Sequence, residues 1–226
     1  FDDIWRDNIH KVPNFPLHMI PRGWRIDRSF DWGSSKPFAV LWWAESNGEP
    51  FEWQGVRYGT RPGDLYQIME WYGWNGQRNE GVRMLAEDIA VGIKDREQDA
   101  GIFGRVKAGP ADASIFDVEN GSCISKDMEK KGVKWTPADK SPGSRKQGWE
   151  QIRKQLKGSI PRSGSPRETA GLYFLASNEQ TFETFPNLPR SDKDLDDVNT
   201  EAEDHIGDAI RYRVRRKLRG VQQSEG

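Results

Sequence analysis

From Gly23 onward the chain alternates. Trp24, Ile26, Arg28 and Phe30 interleave with Arg25, Asp27, Ser29 and Asp31, the period-2 mark of a strand. Gly33 to Pro37 breaks the pattern. Phe38 to Ala44 (FAVLWWA) then forms an unbroken apolar run suited to a central strand. Asn47-Gly48 is a hairpin signal, and Phe51 to Tyr58 and Leu65 to Tyr72 add aromatic-rich strand sequence. Eight of the ten Trp lie before position 75, so this part reads as an aromatic antiparallel meander. The period then changes: Val82, Leu85, Ala86, Ile89, Ala90 and Ile93 follow helical spacing and predict an amphipathic helix from Gly81 to Glu97. Beyond it, short strands at Phe103 to Ala108, Val133 to Trp135 and Leu172 to Leu175 alternate with helices. Those helices are predicted at Ser122 to Lys131, which Gly132 stops, at Ser144 to Leu156, and at Asp204 to Leu218. A meander followed by alternation predicts an α/β fold, a mixed β-sheet flanked by helices on its faces.

The ends and one internal stretch read differently. Residues 1–23 contain Pro13, Pro16 and Pro21 and read as a linker ahead of a domain spanning 24–220. Gly158 to Thr169 is rich in Gly, Ser, Pro and Arg and reads as a mobile loop. Residues 221–226 read as a flexible tail.

Composition narrows the class. The chain has 226 residues, 35% apolar and 31% charged, with a net charge of −1. Its aromatic content supplies a core for one domain, and disorder throughout is excluded. No stretch approaches the roughly 20 apolar residues of a membrane span. The N-terminus has no basic and apolar leader and no initiator Met, which predicts a piece of a longer protein. Cys123 stands alone, which excludes internal disulfides and Cys-pair zinc sites and fits a reducing compartment. The near-neutral total gives no overall basic field for nucleic acid. It conceals an acidic run of Asp192, Asp194, Asp196, Asp197, Glu201, Glu203, Asp204 and Asp208, followed by Arg211, Arg213, Arg215, Arg216, Lys217 and Arg219. Such a pair of runs suits metal ions beside a polyanion, and suits equally a solvated helix with paired charges.

Several chemistries are ruled out. The chain has no Gly-Lys dipeptide and so no Walker A loop. It has no Gly-x-Ser-x-Gly elbow and no His-Glu-x-x-His, and its three histidines are His10, His18 and His205. Carboxylates at element ends remain. Asp31 closes the first strand, Asp112 follows a short middle strand, and Asp208 lies on the last helix. Hard divalent ions take anionic oxygen ligands from converging elements, and two ions about 4 Å apart can clamp a phosphodiester for attack by water. Taken singly, each acid has an ordinary reading too: a turn residue, a helix cap, a helix-start charge.

The block Arg28-Ser29-Phe30-Asp31-Trp32-Gly33-Ser34-Ser35-Lys36-Pro37-Phe38-Ala39-Val40 resembles the opening motif of the nuclease domain of tailed-phage terminase large subunits. The likeness continues through Ala86 to Ala90, Ala108 to Asp112, Gly132-Val133, Pro137 to Arg145 and Gly148-Trp149, and closes with Glu203 to Tyr212. These motifs recur in order over residues 24–212. The resemblance implies an RNase H-like fold, of the ribonuclease H/resolvase/integrase superfamily, and a metal-dependent endonuclease. Such an enzyme cuts concatemeric double-stranded viral DNA during genome packaging by two-metal hydrolysis, without a covalent intermediate. Carried across motif by motif, Asp31, Asp112 and Asp208 match the metal-binding acids, with Asp31 bridging two Mg²⁺ or Mn²⁺ ions. Asp204 and His205 would stand behind them, and Lys140, Arg145, Lys146, Arg211 and Arg215 would meet DNA. The implied partners are double-stranded DNA, an ATPase domain on the same full-length chain, a portal protein and a small terminase subunit, in the host cytoplasm. A resolvase- or transposase-type nuclease of the same fold class is one alternative. A non-catalytic module docking on DNA or portal is another.

Overall fold

The structure is a computed structural model that describes residues 1–189, 191, 197–199 and 202–216. In chain order its elements are α1 (Asp7–His10), β1 (Lys11–Val12), β2 (Arg25–Asp31), β3 (Ala39–Glu45), β4 (Phe51–Trp53), β5 (Val56–Tyr58), β6 (Leu65–Tyr72), α2 (Ala86–Asp99), β7 (Val106–Lys107), β8 (Gly109–Ala111), α3 (Ile124–Lys130), β9 (Trp135–Pro137), α4 (Ser144–Ser159), β10 (Leu172–Leu175), α5 (Glu179–Thr184) and α6 (His205–Val214). The main sheet runs β1-β10-β6-β3-β2-β8-β9, with β7 also on β2. Pairs β2–β3 and β3–β6 are antiparallel, and β10–β6, β2–β8 and β8–β9 are parallel. This is the expected α/β class, a mixed sheet flanked by helices.

Both faces of the sheet are covered. From β3, Val40, Trp42 and Ala44 join Phe30, Ile89, Ile93, Met128 and Trp135 under α2 and α3. Ala39, Leu41 and Trp43 join Trp149, Ile152, Ile206, Ala209 and Ile210 under α4 and α6. A strand buried on both faces needs apolar residues at successive positions, which explains FAVLWWA. Strand β2 is buried along nearly its whole length although it alternates. Its apolar members enter the α2 side. Asp27, Ser29 and Asp31 share the opposite face, where α6 packs.

Some expectations are corrected. Residues 1–23 are packed and do not behave as a linker. Strand β1 pairs in parallel with β10, the rings of Phe1 and Trp5 lie against Phe185, and Phe15 packs on Phe51 and Tyr58. Large aromatic burial outweighs the turns that the prolines impose. The stretch 51–58 is a separate hairpin, β4–β5, and the strand beside β3 on the side away from β2 is β6. Helix α2 begins at Ala86. Gly81 and Arg83 instead donate backbone N–H bonds to Ser35 and Ser34, leaving Leu85 71% exposed. The loop after α4 is fastened: Arg167 donates to buried Asp64 at 2.8 and 2.6 Å, and Arg61 to the carbonyls of Arg167 and Glu168. Helix α5 has no clear local signal, because the carboxylate that accepts from its first N–H groups comes from Glu70 on β6. Asp192, Asp194, Asp196, Glu201, Lys217, Leu218, Arg219 and the tail 221–226 lie outside the described residues.

Candidate metal centre

Three elements deliver the three acids to one end of the sheet. Asp31 is the last residue of β2. Asp112 follows β8, and its N–H donates to the Phe30 carbonyl at 2.9 Å. Gly109 makes that approach possible: a Cβ there would stand 1.7 Å from the Arg28 carbonyl oxygen. Asp208 sits in the first turn of α6, whose stripe of Ile206, Ala209 and Ile210 is buried against the sheet. At Gly207 a Cβ would meet Leu188 at 2.6 Å and the Trp149 ring at 3.3 Å, so the glycine lets the helix settle closely.

The electrostatics of Asp31 single it out. Burial pushes its carboxyl up to about 7, and the charges of Asp208 and Asp112 add to that, against a hydrogen bond from His205. His205 Nδ1 lies 3.1 Å from Asp31 Oδ2, and its Nε2 lies 3.0 Å from Asn79 Oδ1. The Tyr212 hydroxyl donates to Asp31 Oδ1 at 3.3 Å. Burial, then the charges of Asp31 and Asp208, push the Tyr212 phenol up, so it remains a donor. Burial opposes charge on His205, but Asp31, Asp204 and Asp208 outweigh it and raise its basicity. Asp204 is raised by burial and by Asp208.

Basic side chains meet the outer acids. Lys140 Nζ is 3.1 Å from Asp112 Oδ1. Arg145 reaches Asp197, Asp204 and Asp208 at 2.9, 3.0 and 3.1 Å, and Arg211 Nε donates to Asp208 at 3.1 Å. In this side-chain arrangement, no three His, Cys, Asp or Glu side chains among the described residues form a ready metal cage. The chemistry of the donor set nonetheless fits a hard divalent cation. It is all carboxylate oxygen, and Asp31 is a buried acid crowded by two like charges.

The sequence-derived site residues are thus largely brought together. Asp31, Asp112, Asp208, Asp204, His205, Lys140 and Arg145 converge. The ordinary reading of Asp112 also holds, since its side chain accepts from Ser114 N–H at 3.0 Å and caps the turn Ala113–Phe116. Lys146 is exposed on α4. Arg211 and Arg215 are not presented as a DNA-facing row. Arg211 is buried beside Asp208, and Arg215 binds Asp139 and, at 2.9 Å, Gln147. Arg213 is buried against Asp27 and Glu45, both at 2.6 Å. Among the described residues, the basic run through Arg216 is therefore largely paired inward, because α6 is a core helix with acids waiting on β2, β3 and the turn before α4. Trp32 is half-buried and packs edge-on to Phe30.

Asn79 and Tyr212 are the partners that sequence reasoning missed. Asn79 holds a left-handed backbone (φ 58°), and its N–H donates to Glu203 at 3.3 Å while its amide oxygen faces His205. An Asn in a Gly-rich turn is the available signal, since Asn tolerates that conformation. Tyr212 is one turn beyond Asp208, but its bond to Asp31 spans 181 positions.

No protein-family model matches the chain, and no curated protein does. Solved structures do match. The large terminase of a thermophilic bacteriophage, in complex with ADP, superposes with a TM-score of 0.66 at 18% identity, over 96% of this chain and 44% of that one. The P22 large terminase nuclease domain gives 0.60 at 14% identity, over 92% and 87%. The large terminase nuclease of thermophilic phage G20c with bound cobalt gives 0.56 at 11% identity, over 92% and 93%. This chain has the fold of phage large-terminase nuclease domains. That fold is RNase H-like, as the sequence motifs implied. The chain spans less than half the length of the ADP-bound large terminase it matches.

Proposed function

We propose that this chain is the nuclease domain of a phage terminase large subunit, a metal-dependent endonuclease that cuts concatemeric double-stranded DNA during genome packaging in the host cytoplasm. The observation that carries the reading is the convergence of Asp31, Asp112 and Asp208 from three separate elements, with Asp31 buried and crowded by the other two. Likeness of fold to nuclease domains solved with cobalt and with zinc supports it. Asp31 would hold two divalent ions, Mg²⁺ or Mn²⁺, with Asp112 and Asp208 each on one side. Ions held there supply Lewis acidity, which makes water nucleophilic near neutral pH and offsets charge on the departing oxygen.

The chain's own residues supply the rest. His205, held between Asp31 and Asn79, fixes the direction of the Asp31 carboxylate. Tyr212 engages the second oxygen of Asp31. Exposed Lys146 and half-exposed Lys140 would meet the phosphate backbone, so contact would be to backbone and sequence preference weak. An ATPase domain, a portal protein and a small terminase subunit would be its partners in the assembled machine, and would contribute DNA grip that this chain's charge of −1 does not.

Plasmid DNA incubated with the protein and Mg²⁺ or Mn²⁺ tests the reading. Supercoiled DNA is expected to become nicked and linear with metal and to stay intact with chelator. Asp31→Asn, Asp112→Asn and Asp208→Asn are each expected to slow cleavage at least about a thousandfold. Cleavage by Asp112→Asn at the wild-type rate, or cleavage that ignores chelator, overturns the assignment.

A further inference from the structure

Arg145 enters from the first turn of α4, directly after the turn Ser141–Gly143. Its guanidinium is spread across acids from two segments. Nε donates to Asp197 Oδ1 at 2.9 Å and Nη2 to Asp204 Oδ2 at 3.0 Å. Nη1 reaches both oxygens of Asp208, at 3.1 and 3.2 Å. The group also lies 5.4 Å from the centre of the Trp149 ring, whose N–H holds Asp197 at 3.0 Å. One guanidinium therefore spans three acids, with Arg211 Nε sharing Asp208 Oδ1 at 3.1 Å, and both oxygens of Asp208 are engaged by Arg145. On the other flank, Lys140 covers Asp112 Oδ1. A carboxylate oxygen that accepts from a cationic N–H is not available to a metal on the same lone pair. A divalent ion that takes Asp208 as a ligand must displace these groups.

We propose that Arg145, assisted by Lys140, is the resident counter-ion of the metal site. It holds the acids together while the site is metal-free, and it must leave Asp208 for a divalent cation to bind, so it sets the metal affinity. This rests on the reading of the acidic cluster as a metal centre. It also changes the role of a residue whose position in the sequence suggested direct DNA contact: Arg145 is committed to carboxylates first. A guanidinium released from a carboxylate matches the fork of a phosphodiester. Metal arrival would thus precede phosphate capture by this residue.

The experiment is calorimetric titration of Mn²⁺ into wild type, R145Q, R145K, K140Q and R153Q, alongside thermal melts in chelator. Arg153 lies on the same helix and pairs with Asp3 at the surface, so R153Q controls for loss of one positive charge. R145Q is expected to bind Mn²⁺ about tenfold more tightly and to melt at lower temperature without metal, because its acids lose their partner. R145K keeps the charge without the fork and should fall between. The Lys140 side chain is 56% exposed, so K140Q should fold normally and bind about threefold more tightly. It carries the test if R145Q does not fold. R153Q should match wild type. Wild-type or weaker affinity in R145Q and K140Q, with Mn²⁺ uptake by wild type intact, overturns the counter-ion role alone. Absence of Mn²⁺ uptake in wild type and in both variants overturns the metal centre with it.

Discussion

Asp27 and Asp31 lie on the same face of β2, and both are buried, at 0% and 6% exposure. Their surroundings differ. Asp27 is met by three guanidiniums: Arg213 at 2.6 Å, Arg25 at 2.8 Å and Arg216 at 2.9 Å. Asp31 is met by a histidine and a phenol, and faces two further carboxylates. The chain neutralises Asp27 from within, and that acid fastens α6 to the sheet. At Asp31 the chain supplies too little positive charge, and burial holds the carboxyl at about 7. A buried acid whose charge the fold satisfies is a structural bolt. One whose charge the fold leaves in excess is poised for a cation from outside.

The largest effect should come from breaking the bolt. Asp27→Ala leaves buried Arg213 with Glu45 alone and takes the Asp27 carboxylate from half-buried Arg216, and loss of one partner from a buried ion cluster costs about 3–5 kcal/mol. Urea unfolding measures it. A loss below about 1 kcal/mol would mean that the arginines find other partners and that Asp27 is not the anchor.

Asp31→Asn should act in the opposite sense on the metal-free protein. The folded Asp31 carboxyl, at about 7, lies above its ordinary value of 3.8. An acid raised on folding contributes stability that is complete below about 3.8 and is lost as pH climbs through 7. His205, raised by its acidic neighbours, contributes below its ordinary 6.5 and loses that contribution over the same rise. Wild type should therefore weaken relative to Asp31→Asn as pH rises. The variant is expected to be more stable by on the order of 2 kcal/mol at about pH 8 and no more stable at about pH 4. Thermal melts across that range in chelator decide it. A constant difference between the two proteins would remove the like-charge strain assigned to Asp31.

The smallest effect belongs to an exposed pair. Arg153 and Asp3 form a salt bridge at the surface. Arg153→Gln should change unfolding free energy by less than about 1 kcal/mol, and less still in high salt. A loss as large as that of Asp27→Ala would show that burial is not what separates bolts from ornaments in this fold.

Much of the frame was readable without the fold. The FAVLWWA run suited a central strand covered on both faces, and it is β3. The stripes ending in Ile93 and Ile210 are helices because their spacing lets one face be buried. Asp31, Asp112 and Asp208 were singled out by the resemblance of the motifs around them, since position at an element end alone left each an ordinary turn, cap or helix-start reading. Three-dimensional packing decided the rest. Prolines at 13, 16 and 21 suggested a linker, yet Phe1, Trp5 and Phe15 find phenyl and phenol ring partners 36 to 184 positions away. The Arg211–Arg216 row looked like a polyanion contact, yet Arg213 meets an acid 186 positions earlier. Local spacing fixes which residues share a face, because backbone period is local. Which charge meets which is set by where distant elements cross, so the chain alone could name the acids but not tell which of them the fold pairs with guanidiniums and which it crowds with like charges.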